Sequence, residues 1–244
     1  MDDYIKELKV RFREENFKNE IDKKTAIEKA YADMSRRAKG HKSEMKDRIV
    51  KWLFEEVFNT AFDFNSQDDF DKWNKKICIE LKERHGESFG RIGRSQKVIN
   101  MAFKYLSCVD DTYDKVLCYC HMTLDSYTLN WYKTIDKSWN LEWSNIDDYE
   151  QYATIQRNIC NYLNNGSHKY SVKLGMINTK EIELPNCPFE AEYIIWEGEK
   201  INKKYNELIR ELNKYKNQGK ENDKWLIENL FDEFLIKYTD NHTE

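Results

Sequence analysis

The chain has 244 residues with a formal net charge of −4, and its seven Trp, fifteen Tyr and twelve Phe give it ample apolar material for a core despite 34% charged residues. That balance excludes an intrinsically disordered chain, and the length suits one large domain or two small ones. A slightly acidic total also excludes a uniformly basic nucleic-acid-binding surface, so a polyanionic partner would have to be met by a local patch.

No stretch approaches the roughly 18 consecutive apolar residues of a membrane span, and the start Met1-Asp2-Asp3-Tyr4 has neither the basic start nor the apolar run of a signal peptide. A cytoplasmic protein with no membrane partner is expected, its six cysteines held as thiols. Soft ligands crowd together only in Cys118-Tyr119-Cys120-His121. No second paired cluster completes a zinc knuckle there, so neither a metal nor another cofactor is expected.

In chain order, helical periodicity predicts helices over 2–16, 23–37, 46–62, 68–84, 95–106, 124–132, 147–163, 190–215 and 223–238. Alternation with a turn signal over 169–184 predicts one short β-hairpin. Only Pro185 and Pro188 interrupt the pattern, and no repeat, low-complexity tract or linker is visible. The expected fold is therefore mostly α, one domain over 1–244.

Three of the eight glycines fall in Gly86-Glu87-Ser88-Phe89-Gly90-Arg91-Ile92-Gly93, just before a helix opening Arg94-Ser95-Gln96-Lys97. Glycines beside a helix N-terminus allow close backbone approach, and the unpaired N–H groups there suit an anion such as a phosphate. Basic residues Lys82, Arg84, Arg91, Arg94, Lys97 and Lys104 outnumber Glu83 and Glu87 in the same region, while acidic surplus lies at 67–71 and 147–150. A solvated helix face is the plain alternative for this stripe. At 3.6 residues per turn, Val98, Ile99, Ala102, Phe103 and Leu106 share the core side of the helix. Lys97, Asn100, Met101 and Lys104 share the other, which reads most simply as a wet lysine face. Downstream, Asp125 stands where an extended stretch from Cys120 turns helical, and an aspartate there caps the helix.

The run from Gln96 to Lys104 followed by Leu124-Asp125 resembles the helix-hairpin-helix DNA glycosylases, most closely their archaeal 8-oxoguanine branch, over about fifty residues. The resemblance implies a helical glycosylase-like bundle with a helix-hairpin-helix element, in two lobes flanking the hairpin at 86–107. It maps the nucleophilic lysine to Lys97 and the catalytic aspartate to Asp125. Lys104 and Met101 would then line the base pocket. An acid and a tryptophan four apart on a late helix correspond to Glu192 and Trp196, with Glu in place of the family's Asp. A further pocket tryptophan corresponds to Trp52 or Trp73, between which the sequence does not choose. Gly90, Arg91, Gly93, Arg94, Ser95 and Gln96 would hold the DNA backbone.

The resemblance implies a DNA N-glycosylase acting on DNA that contains a modified base, either oxidised guanine or a phage-type modified cytosine in anti-phage defence. A flipped base would enter a pocket, a carboxylate would stabilise the cationic sugar, and the product would be an abasic site, nicked if Lys97 attacks directly. Two other classes stay open. Arg36 and His41, with four residues between them, resemble the motif of HEPN ribonucleases, although Arg37 follows where that family favours another polar residue. A non-catalytic helical module binding protein or nucleic acid is the other.

Overall fold

The computed structural model describes residues 3–18, 21–36, 43–173 and 179–217. The expectation of a mostly helical fold with one short hairpin is met. The predicted helix over 223–238 lies outside the described residues, as does His41. The chain divides into two compact units, one of Met1–Gly166 with Pro185–Tyr193 and one of Ser167–Leu184 with Ile194–Glu244.

The first unit is built around one buried helix. Its elements in order are α1 (Asp3–Asn16), α2 (Lys23–Ser35), α3 (Ser43–Trp52), α4 (Gln67–Arg84), the single turn α5 (Gly86–Phe89), α6 (Ile92–Leu106), α7 (Ser126–Ile135) and α8 (Tyr149–Asn164). Helix α6 packs against α2, α4 and α8. Ala26 and Ala30, one turn apart on the buried side of α2, let the two axes approach closely. A cluster of Phe58, Phe62, Phe70, Trp73, Phe103 and Tyr113 fills the space beside α6, with ring centroids 5.2–6.3 Å apart in mostly edge-on and tilted pairs. Much of the aromatic surplus is thus core, with Trp73 half-buried at its edge.

Several boundaries differ from those the sequence predicts. The helix expected over 46–62 gives way to a π-helical turn at Leu53–Val57 and loses regularity after Phe58. The glycine cluster forms the α5 turn, and α6 begins at Ile92, three residues earlier than expected. A 3-10 stretch at Asp111–Tyr119 was not anticipated. The wet lysine face is a correction of larger consequence: Lys97, Asn100, Met101 and Lys104 are all buried, at 9%, 1%, 6% and 1% exposure. Helix α6 is covered on every side, and periodicity could not reveal this because it ranks faces only by polarity.

In the second unit, β1 (Lys169–Lys173) pairs antiparallel with β2 (Thr179–Glu183), Lys169 opposite Glu183. Tyr170 and Val172 alternate inward. Helix α9 (Pro188–Asn217) gives its first residues to the first unit and continues here. The Tyr170 hydroxyl donates to Glu199 at 2.7 Å and accepts from Asn202 at 3.0 Å, and Lys200 lies 4.5 Å from the centre of the Trp196 ring.

Candidate functional site

The glycine turn is keyed to a second segment that sequence reasoning passed over. A short 3-10 turn, Trp143–Asn145, lies against the first turn of α6. The Gly93 N–H donates to the Ile146 carbonyl at 3.0 Å, and the Arg91 guanidinium donates to Asn145 Oδ1 at 2.6 Å. A Cβ on Gly93 would fall 1.8 Å from the Trp143 carbonyl oxygen, so only glycine permits this approach. Gly93→Ala should therefore lower Tm by several degrees, about 1–3 kcal/mol of overpacking. A melt matching the natural chain would disprove the keying.

Between the two segments lies a cavity of about 370 Å³, lined by Gly86, Gly90, Arg91, Arg94, Ser144, Asn145 and Asp147. Gly90, Arg91 and Arg94, expected at a DNA backbone, do border one open space. The other expected backbone contacts are placed differently. The Gly93 amide is committed to Ile146, and Ser95 and Gln96 are fully buried.

Gln96 uses its whole amide to hold a second chain segment beside α6. Its Nε2 donates to the carbonyls of Gly93 and Leu124 at 2.9 and 2.8 Å, and its Oε1 accepts the Leu124 N–H at 3.1 Å. Leu124 ends the extended stretch from Cys120, whose buried backbone is satisfied by side chains in place of a strand partner. Gln156 donates to the Met122 carbonyl at 2.8 Å, and Glu192 accepts the Thr123 N–H at 2.6 Å. The next residue, Asp125, is the N-cap of α7. It accepts from the amides of Tyr127 and Thr128 at 2.8 and 3.1 Å, and the Thr128 hydroxyl accepts its own N–H at 2.8 Å. This reciprocal capping box immobilises the carboxylate. Next to Gln96 in sequence, Lys97 carries its ammonium 4.4 Å from the centre of the buried Trp143 ring.

Two turns deeper on α6, Lys104 donates to Glu192 at 2.9 Å, with the rings of Tyr193 and Phe12 at 4.3 and 4.8 Å. Both side chains of this pair are almost wholly excluded from solvent. Burial pushes the Glu192 carboxyl above its ordinary range, while Lys104 and the Thr123 amide pull it partly back.

Of the residues the resemblance singled out, Gln96 holds the residue before Asp125 and Lys104 pairs with Glu192, while Lys97 and Met101 are buried on the same helix. Trp52 interacts with other groups: it donates to Glu56 at 3.1 Å, lies against His85 and carries Arg84 over its ring. Trp196 belongs to the second unit. Sequence reasoning missed Trp143, Gln156, Thr123 and Thr128. Only Thr128 had a readable signal, three residues after a capping aspartate. Arg36 pairs with Asp33 at 2.5 Å. Cys118 is exposed, Cys120 is buried, and among the described residues no group of three or more His, Cys, Asp and Glu is placed to hold a metal ion. No known protein family, curated protein or solved structure matches this chain.

Proposed function

We propose that this protein is a DNA N-glycosylase that extrudes and excises a modified base, an oxidised guanine or a phage-type modified cytosine. The observation that carries this reading is the juxtaposition of two unusual features on one buried helix. Lys97 is buried against the Trp143 ring and next in sequence to Gln96, which holds the residue before the capped Asp125 carboxylate, and a second buried lysine, Lys104, pairs with Glu192 further along. Buried lysines are rare unless paired or functional.

In the proposed reaction, Arg91 and Arg94 at the 370 Å³ cavity hold phosphates of the strand without reading sequence. The target base leaves the stack, most easily where it is already damaged or mispaired. Lys97 Nζ, as the free amine, forms a bond to the sugar C1′ while the C1′–N bond to the base breaks, and the departing base takes up a proton. Asp125 stabilises the positive charge that grows on the sugar. Loss of a proton from Nζ and opening of the sugar's C1′–O4′ bond, with O4′ taking up a proton, then turn the adduct into a Schiff base, which opens the route to a nicked strand.

Two measurements test the proposal. Duplexes carrying 8-oxoguanine or 5-hydroxymethylcytosine should release free base, detected by mass spectrometry, and borohydride should trap the natural chain but not Lys97→Gln on the strand. Release of neither base, with no duplex binding at low salt, would overturn it. Replacing Arg91 and Arg94 together by alanine should weaken binding to all sequences alike. The slope of log affinity against log salt should fall by about one for each arginine. An unchanged slope would remove these residues from the phosphate contact.

A further inference from the structure

A chain of hydrogen bonds, buried beyond its first link, runs from α4 through α8 to α6 and ends on the segment that bears Asp125. Asp71 Oδ1 lies 2.9 Å from His121 Nε2, His121 Nδ1 lies 2.8 Å from the Tyr152 hydroxyl, and Asn100 Nδ2 lies 2.9 Å from that hydroxyl and 3.2 Å from Gln96 Oε1. Gln96 then holds Leu124 by both its N–H and its carbonyl. Asp71 also accepts from Gln67 at 2.9 Å. The segment from Cys120 to Asp125 is thereby gripped twice, at His121 and at Leu124.

The direction of every bond follows from one group that cannot reverse. A backbone N–H only donates, so Gln96 must turn Oε1 toward Leu124 N, and the same oxygen must take its second bond from the Asn100 amide nitrogen. Turning the Asn100 side chain round would set its oxygen against Gln96 Oε1. Asn100 therefore donates its remaining N–H to the Tyr152 oxygen, and among the described residues the buried Tyr152 O–H has His121 Nδ1 as its one acceptor, so it donates there. Nδ1 is then an acceptor, the ring proton sits on Nε2, and Nε2–H donates to Asp71. Burial supports this arrangement by holding the Tyr152 hydroxyl protonated.

We propose that Asp71, His121, Tyr152 and Asn100 are positioning residues, and that His121, locked as the neutral Nε2-protonated tautomer, sets where Leu124 and Asp125 lie beside α6. Its role in catalysis rests on the glycosylase reading, whereas its hold on the segment does not. None of the four needs to touch DNA. They act through Gln96 on the backbone beside Asp125, and a displacement of the order of 1 Å there would cost roughly a hundredfold in rate.

The test uses the full chain with 15N-labelled histidine. Long-range 15N–1H spectra should show His121 protonated on Nε2 alone at neutral pH, and the Leu124 amide should be strongly protected from hydrogen exchange. Tyr152→Phe removes the hydroxyl the chain requires. It should relax the tautomer preference, speed Leu124 exchange at least about tenfold, and slow base release roughly 10- to 100-fold with duplex affinity within about twofold. Because that buried substitution could lower stability, the half-exposed Asp71 supplies a second pair. Asp71→Asn keeps an acceptor for Nε2–H and should retain the tautomer and the slow exchange, while Asp71→Ala should lose both. A ring protonated on Nδ1, or Leu124 exchange equally slow in Tyr152→Phe and Asp71→Ala, overturns the proposal. If the natural chain releases no base, the glycosylase reading fails alone, and the exchange measurements still decide this one.

Discussion

Asp125→Asn should fold, bind duplex DNA as the natural chain does, and release base about a hundredfold more slowly or worse. Asparagine is nearly as good a cap as aspartate, so its side-chain oxygen can still accept from the amides of Tyr127 and Thr128 that Asp125 now engages. The substitution removes only the negative charge. Under the proposed mechanism that charge faces the sugar as positive charge grows on it, and removing one preorganised electrostatic contact of this kind costs on the order of 10²–10³ in rate. Single-turnover base release, duplex affinity and a thermal melt measured on one preparation check the three parts. Base release at the natural rate would make Asp125 a helix cap and nothing more. Parallel losses in the melt and in the rate would place the effect in folding.

The second large effect concerns stability. Glu192→Ala would leave the Lys104 ammonium buried without its carboxylate and the Thr123 N–H without its acceptor. Breaking a buried pair from one side costs about 3–5 kcal/mol, enough to threaten folding of a domain with ordinary stability. Lys104→Met should cost less at low pH than at neutral pH, and the sign follows from Glu192. Its folded-state pKa is already raised, chiefly by burial, and losing Lys104 removes one of the interactions that lower it. A carboxyl whose folded pKa lies above its unfolded value of about 4.3 favours folding when protonated. That contribution is fully present below pH 4 and is lost as pH rises through the folded pKa. The difference in unfolding free energy between Lys104→Met and the natural chain should thus grow from pH 4 to pH 7. A difference independent of pH would mean that Glu192 finds another cation.

Helix positions were legible where local chemistry sets them. Asp125, expected as a cap, does cap α7, and the alternation at 169–184 is a hairpin with Tyr170 and Val172 turned inward. The glycine cluster was legible as a place of close approach, because only a residue without a side chain tolerates a carbonyl as near as that of Trp143. Its partner was not, since nothing local marks 143–147 as the segment that docks on Gly93. The same limit explains Lys97 and Lys104. Seven residues apart on an amphipathic pattern, they read as solvated, and only the covering of α6 by Trp143 on one side and by Glu192, Phe12 and Tyr193 on the other buries them.

By itself the amino-acid sequence determined the helical class, the Asp125 cap and the hairpin, properties set within a few residues of chain, and the spacing of two lysines with a later aspartate. Tertiary structure alone decided that Gln96 is a clamp, that Lys104 meets Glu192 across 88 residues, and that His121 joins α4 to α8. These contacts depend on which buried polar groups find partners when helices distant in sequence come together. An unpaired polar group in a core is costly, so the packed fold selects the set of pairings that satisfies them.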